Sequence, residues 1–347
     1  MILQKMSRIS RWALGLSLLF STCLSTAAAQ ENPTPPPEAA TQGEQAPAGE
    51  EGFRIGVSVD QIFLSVSARS TGGGFVKDLT AEDFLIYEDG VLQKVENFYS
   101  EQVPVKVVLL IDASASTSSA QAEIQNAALE FVRHLGEEDQ VAIITFNHEI
   151  RQILDWTNDQ NKVETAMKRI YARGYTVLND AIYVTFNDLL RDIDGKTAVI
   201  VLTDGADVGS MVSFSQAMDR AAHSESVVYV VSKLEQAWAE AIAFRSNSAN
   251  LVPYGGITPR ELTDGYMLEM KRNLNRLADL TGGRVLNAAS FNSMEDVYAQ
   301  VADEIKNQYY LSYVSTNKRK DGTWRKIEVR SRSMGAVLRT REGYYAN

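Results

Sequence analysis

Between Lys106 and Lys306 short apolar runs alternate with longer stretches in which apolar positions recur every three or four residues. The runs 106–112, 141–147, 151–155, 197–203, 227–232 and 283–287 read as strands, most of them continuously apolar, as expected where both faces of a sheet are covered. The segments between them, 119–136, 160–171, 179–192, 213–224, 267–281 and 292–307, read as helices. This alternation predicts an α/β domain over 106–306, doubly wound and Rossmann-like, with a mostly parallel sheet and helices on both faces. The step from FNHE to RQILDW is too short for a crossover helix, so 151–155 is expected as an antiparallel edge strand.

The period changes on both sides of this domain. From Phe53 to Val105 apolar and polar residues alternate, with a turn at Gly72–Gly74 and an Asp89-Gly90 hairpin signal. The triple glycine lacks the Lys-Ser/Thr and the following helix of a phosphate loop, so it reads as a turn. Behind the domain, NQYYLSYVST, WRKIEVRSR and AVLRTREGYYA again read as strands. Each flank alone is marginal in size for an independent fold. Together they predict one β-sandwich in which 307–347 pairs with 53–105 and the α/β domain is inserted between them.

The ends of the chain bear on location. Lys5, Arg8 and Arg11 precede the apolar run Trp12–Leu24, and Ala27-Ala28-Ala29 fits a cleavage site, so 1–29 reads as a signal peptide. Residues 30–52, rich in Pro, Ala, Glu and Gly, read as a disordered spacer. Cys23 is the only cysteine and falls within the leader, leaving the mature chain without thiol or disulfide. An exported protein is expected, periplasmic or secreted to the cell surface, with membrane contact only if the leader stays uncleaved. The formal charge is −10, or −13 once the three bases of the leader are removed. Such a balance argues against nucleic acid or anionic lipid as the main partner. One stretch runs the other way: Asn317–Arg341 holds nine Lys or Arg against Asp321 and Glu328. The alternation of IEVRSR makes these solvent-facing strand positions first, and a patch for acidic surfaces second.

Candidate chemistry concentrates in VKVVLLIDASASTSS, where an apolar strand ends in Asp112 and hydroxyls follow at Ser114 and Ser116. An oxygen-only cluster at the carboxyl end of a strand suits a hard cation such as Mg²⁺. The same residues could simply cap a helix starting near Ser118. Two later segments add to the cluster: Thr176 lies in a Gly-containing turn, and Asp204 ends a further apolar strand. The signatures of catalysis are missing from the sequence. His134, His148 and His223 lack zinc-site spacing, no HExxH or Gly-x-Ser-x-Gly occurs, and no carboxylate pair is marked as an acid/base couple. A protein that is not an enzyme and has no small-molecule substrate is expected.

Asp112-x-Ser114-x-Ser116, then Thr176, then Thr203-Asp204-Gly205 resembles the metal-ion-dependent adhesion site of von Willebrand factor A (VWFA) domains. The flanking LTAEDFLIYEDGVLQKVENF and DGTWRKIEVRSRSMGAVLRTREGYYA look like a bacterial secreted subgroup, the VWFA-related proteins abundant in Acidobacteria. The resemblance implies that Ser114 and Ser116 coordinate Mg²⁺, or Mn²⁺ or Ca²⁺, directly, joined by Thr176 in the ligand-engaged state. It implies that Asp112 and Asp204 act mostly through coordinated water, and that a protein partner supplies an acidic residue to the open position. Two features depart from the family pattern: Tyr175 stands directly before Thr176 with Gly174 one place early, and Asn179 replaces a Tyr. Asp180 reads as a cap or supporting residue. An insertion over 235–265 leaves the carboxyl end of a strand and carries Trp238, Phe244 and Tyr254, with Tyr266 just beyond it. These are candidate partner contacts, or else an amphipathic lid over 235–245. The expected function is an exported, metal-dependent adhesion-type module. The alternative is an envelope scaffold whose metal site is only structural.

Overall fold

The computed structural model describes residues 61–100, 103–235, 237, 239, 264–288 and 294–346. The segments expected as a signal peptide (1–29) and a spacer (30–52), the strand signal at 53–60, most of the 235–265 insertion and the contact candidates Trp238, Phe244 and Tyr254 lie outside them. The central sheet contains β5 (Val105–Asp112), β6 (Gln140–Phe146), β7 (Ile150–Thr157), β8 (Lys196–Thr203), β9 (Val227–Ser232) and β10 (Val285–Asn287), in the order β10-β9-β8-β5-β6-β7. All neighbours pair in parallel except β7, which lies antiparallel to β6 at the edge, as the short connection predicts.

The helices that cover the sheet are α1 (Gln121–Arg133), α2 (Gln160–Met167), α3 (Leu178–Val184), α4 (Phe214–Ala222), α5 (Asp264–Thr281) and α6 (Met294–Lys306). Val107, Leu109 and Ile111 of β5 point into one apolar layer with Ile124 and Phe131 of α1 and Tyr298 of α6. Val108 and Leu110 point into the other, with Ile182 of α3, Ala217 of α4 and Leu277 of α5. Period-two alternation persists inside these uniformly apolar strands, but both faces are buried, so polarity does not mark it. Fold class is therefore α/β, with the doubly wound arrangement expected from the alternation.

Helix ends differ from expectation for local reasons. Residues Ala115–Ala120 wind as a tighter 3₁₀ turn, so α1 begins only at Gln121. Helix α2 stops at Met167, where Arg169 N and Ile170 N donate to carbonyls three residues back, tightening the end. Beyond Val184 the helix widens into a π turn over Thr185–Leu189, and the Thr185 hydroxyl donates to the Ala181 carbonyl at 2.8 Å, competing with the regular ladder.

The flanks assemble two four-stranded sheets. One is β13-β1-β11-β4 and the other β14-β12-β2-β3, with β1 (Gln61–Ser70), β2 (Phe84–Glu88), β3 (Val91–Gln93), β4 (Val95–Tyr99), β11 (Gln308–Val314), β12 (Trp324–Ser331), β13 (Ala336–Arg339) and β14 (Gly343–Tyr345). Strand β1 pairs antiparallel with β11 from Gln61↔Val314 to Ser67↔Gln308, joining the front of the chain to its back. Leu64, Val66, Phe84, Ile86, Tyr309, Leu311, Tyr313 and Ile327 fill the space between the sheets, which makes this a sandwich. The Asp89-Gly90 turn has φ of 47° and 82°, the left-handed pair a tight hairpin needs, and closes β2 onto β3.

A charged knot ties the inserted domain to the sandwich. Glu304 of α6 is 1% exposed and receives Arg69 of β1 at 2.7 Å and Arg284 at 2.6 Å. Beside it, Gln308 Nε2 of β11 donates to the Tyr229 hydroxyl of β9 at 2.9 Å. Replacing Glu304 by Ala strips two largely buried guanidinium groups of their anion, and such a loss costs about 3–5 kcal/mol. The expected outcome is a lower urea midpoint for Glu304→Ala at unchanged m-value, with Glu304→Gln in between; equal midpoints for all three proteins would refute the knot.

Candidate metal centre

Strand register brings the candidate residues together. Strands β5 and β8 pair up to Ile111↔Leu202, which sets Asp112 level with Thr203 and one residue short of Asp204. The Thr203 hydroxyl donates to Asp112 Oδ2 at 3.1 Å, and Ser114 N donates to Oδ1 of the same carboxylate at 2.9 Å. Ser114 Oγ lies 3.0 Å from Ser116 Oγ, and Ser116 donates to Asp204 Oδ2 at 2.5 Å. Asp204 Oδ1 also accepts from Ala206 N at 3.0 Å. Asp112, Ser114, Ser116 and Asp204 thus form one connected group at the carboxyl edge of the sheet.

Helix capping does not occupy the two serines. Ser114 stands at the N-cap position of the 3₁₀ turn, but its side chain makes no capping bond there. Thr117 does the local work instead, its hydroxyl donating to the carbonyls of Asp112 at 3.1 Å and Ser114 at 2.9 Å. The two serine hydroxyls are left to each other and to Asp204.

Thr176, 3% exposed, reaches the same edge through its backbone. Its carbonyl accepts from Val208 N at 3.1 Å and Gly209 N at 3.2 Å in the loop after Asp204. On the other side, Arg173 N donates to the Ala113 carbonyl at 2.9 Å and Ala115 N to the Gly174 carbonyl at 3.0 Å. Gly174 has φ of +71°, and any Cβ there would collide with the His148 ring. Gly one place early is therefore what lets this loop pass His148. Tyr175 lies over Gly209, where a Cβ would strike its ring.

Further residues hold the loops, most of them unmarked by any sequence motif. The Asp207 carboxylate accepts from Leu178 N at 3.2 Å, from Ser210 Oγ at 2.6 Å and from the Asn179 amide. Asp180 accepts from Met211 N at 2.9 Å and Val212 N at 2.8 Å, which is the supporting role expected of it. Asn179 thus does its work toward Asp207. Lys233, 7% exposed, lies 3.6 Å from Glu123 of α1 and adds positive potential near Asp204. Tyr266 is half-buried; its hydroxyl donates to the Asp207 carbonyl at 3.4 Å and its ring packs with Ala206, Leu234 and Met270. These contacts are with its own domain. Thr203 could have been found from its place directly before Asp204, whereas Lys233 and Asp207 carry no motif.

Burial dominates the electrostatics. Burial, and then the neighbouring Asp204 charge, push the Asp112 carboxyl up to about 8. Burial raises Asp204 as well, eased by its bond from Ser116 and by Lys233. Two buried carboxyls that resist ionising, linked by neutral hydroxyls, form an all-oxygen donor set, and a hard divalent cation fits it. Among the described residues no group of three or more His, Cys, Asp or Glu is placed to hold a metal. A cation here would depend on the hydroxyls and solvent for its remaining ligands. Around the group the loops expose Tyr171 (72%), Tyr175 (48%), Val208 (40%) and Met211 (71%).

The fold is an open α/β sheet of the doubly wound class, and its carboxyl edge, where such sheets take their ligands, carries two carboxyl groups and a run of hydroxyls. Residues 107–206 match the family described as the von Willebrand factor type A domain. A curated relative, an uncharacterised protein of Synechocystis sp., is 22% identical over 111 residues, 31% of this chain, and the match spans 26% of the relative's length. Among solved structures, a von Willebrand factor type A protein from Catenulispora acidiphila is 10% identical, with 83% of this chain and 72% of that one covered and a TM-score of 0.43. An aerotolerance-related membrane protein from Bacteroides fragilis is 16% identical, with 58% and 98% covered and a TM-score of 0.41.

Because the folded metal-free protein keeps Asp112 protonated up to about pH 8, it binds more protons than the unfolded chain, whose aspartates titrate near pH 4. Stability contributed by this group is therefore full below that window and falls as pH rises through it. Asp112→Asn should flatten the slope and stabilise the metal-free protein at pH 8 by at least ~1 kcal/mol. Thermal melts at pH 5 and pH 8 in chelator check this, and parallel pH slopes for parent and variant would contradict it.

Proposed function

We propose that this protein is an exported, metal-dependent protein-binding module that captures an acidic side chain of a partner protein through Mg²⁺, with Mn²⁺ or Ca²⁺ as other occupants. The observation that carries this reading is the joined group Asp112–Ser114–Ser116–Asp204, buried at all but the half-buried Ser116 and built from proton-retaining carboxyls and neutral hydroxyls. The leader at 1–29 supports export to the periplasm or the cell surface. The flanking motifs support membership of the secreted VWFA-related subgroup.

In this reading Ser114 and Ser116 would hold the cation through their hydroxyls, Thr176 would join from its loop, and Asp112 and Asp204 would balance its charge. The cation supplies a positive centre that attracts a carboxylate. The chain's own residues do the rest. Thr203 and Ser114 N hold the Asp112 carboxylate in place, and Thr117 holds the turn that presents both serines. The backbone bonds from Val208 and Gly209 hold Thr176 against the Asp204 loop. Exposed Tyr175, Val208 and Met211 offer apolar contact around a charged centre, the pattern of a buried anchor with a surrounding rim. Nothing in this arrangement calls for bond breaking, and we assign binding rather than catalysis.

The envelope-scaffold reading rests on a different observation. Ser116 already satisfies Asp204 and Thr203 already satisfies Asp112, so the group can serve as an internal latch between β5 and β8. Calorimetric titration with Mg²⁺ separates the module from a metal-free latch; a scaffold whose metal is only structural would bind Mg²⁺ too, and differs in capturing no partner through it. The module reading expects saturable binding that tightens from pH 6 to pH 8, as protons leave the carboxyl pair, and is abolished in a folded Ser114→Ala/Ser116→Ala variant. Absence of Mg²⁺ binding by the parent at pH 8 would discard the module and leave the latch.

A further inference from the structure

A cavity of about 270 Å³ lies between α3, α4 and α5, beside the candidate metal centre. Gly205 and Asp207, from the loop after Asp204, form part of its wall. Most of the lining is apolar: Leu178 and Ile182 of α3, Phe214 of α4, and Met270, Leu274 and Leu277 of α5. The α5 residues recur four and then three positions apart, on one face of that helix. Leu178, Ile182, Leu274 and Leu277 also belong to the apolar layer on this side of the sheet, so the inner wall of the cavity is the core itself.

The polar part of the lining favours positive charge. Asp207 and Glu269 bring carboxylates, Asn179 and Asn273 bring amides, and no Lys, Arg or His is among the described residues that line the cavity. Asp207 is held by neutral donors alone: Leu178 N at 3.2 Å, Ser210 Oγ at 2.6 Å and the Asn179 amide. The nearby Asp180 carboxylate adds charge of the same sign. A carboxylate withdrawn from water with no cation to answer it is costly, and a ligand carrying that cation relieves the cost. Phe214 and Tyr266 add ring surface, which attracts ammonium groups through its negative face.

We propose that this cavity binds a small organic ammonium ion, a primary amine on a compact apolar body. The apolar wall takes the body, while Asp207, with the exposed Glu269 at the rim, takes the charge. At about 270 Å³ the space falls just below the usual 300–1,000 Å³ of ligand pockets, which suits a single ring or a short chain. A neutral ligand would leave both carboxylates unanswered, and an anion would be repelled by them. This site is independent of the metal reading, because Asp112, Ser114, Ser116, Thr176 and Asp204 take no part in the lining.

Calorimetry of the whole protein with 2-phenylethylamine, at neutral pH in chelator, tests the proposal; 2-phenylethanol and phenylacetate are the neutral and anionic counterparts. The amine is expected to bind saturably and about tenfold or more tighter than the alcohol, with no binding of phenylacetate. Asn273→Trp, at a half-buried position of α5, fills the cavity without changing charge and should abolish binding. Glu269→Gln should weaken the amine and leave the alcohol unchanged. Glu138→Gln removes the same charge from an exposed position at the amino end of β6, outside the cavity, and should change nothing. Circular dichroism verifies that each variant folds, and Asp207 is left intact because it holds the loops. No saturation by the amine, equal affinity for amine and alcohol, or full binding by folded Asn273→Trp would overturn the proposal. Equal weakening in Glu269→Gln and Glu138→Gln would overturn it too, since that is general attraction to an acidic surface.

Discussion

Parallel pairing of β5 with β8 is the constraint on which the rest of the molecule depends. Their register delivers two carboxylates, from chain positions far apart, to one level at one end of the sheet. A slip of one residue would turn Asp112 to the opposite face and break its bond from Thr203. Two acidic groups placed so close and so deep would repel one another, and the protein answers with hydroxyls: Thr203 on Asp112, Ser116 on Asp204. The apolar layers on both sides of the sheet hold that arrangement shut. Stability of the open sheet and chemistry of its edge are thus one problem, solved by the same two strands.

The loops that complete the edge follow from this. Their backbone groups pair with each other: Gly174 with Ala115, Arg173 with Ala113, Thr176 with Val208 and Gly209. Asp180 and Asp207 extend the same stitching outward to α3 and the 207–212 turn. A change at any one loop is felt at the others, because each supplies a partner the next one needs.

Much of this was legible in the sequence, and for identifiable reasons. Asp112 and Asp204 stand out because each ends a long apolar run, and a strand buried on both faces can place an acid only where it reaches the edge of the sheet. The antiparallel edge followed from a connection too short to cross over, and the sandwich from two flanks each too small to stand alone. Helix ends were less legible, because Thr185 and the 3₁₀ turn at Ala115–Ala120 depend on side-chain bonds that periodicity does not register. Lys233 and Asp207 were invisible for another reason: their importance comes from what the fold brings near them. Gly174 had looked like a departure, and its meaning emerged only with His148 in place beside it.

The antiparallel pairing of β1 with β11 also sets an order of events. Gln61 and Ser312, bonded at 2.7 Å across these strands, are 251 residues apart in the chain. The first strand of the sandwich must wait, with its apolar face uncovered, until everything between has been made. Every strand of the central sheet lies between Val105 and Asn287, so the inserted α/β domain can fold without the sandwich, bringing its own two ends together as it does so. Once it has formed, the distance that closes the sandwich is no longer a random loop of 251 residues but the short span between those two ends, and the entropy of closing it falls accordingly. The inserted domain is in this sense the template on which its own container is assembled.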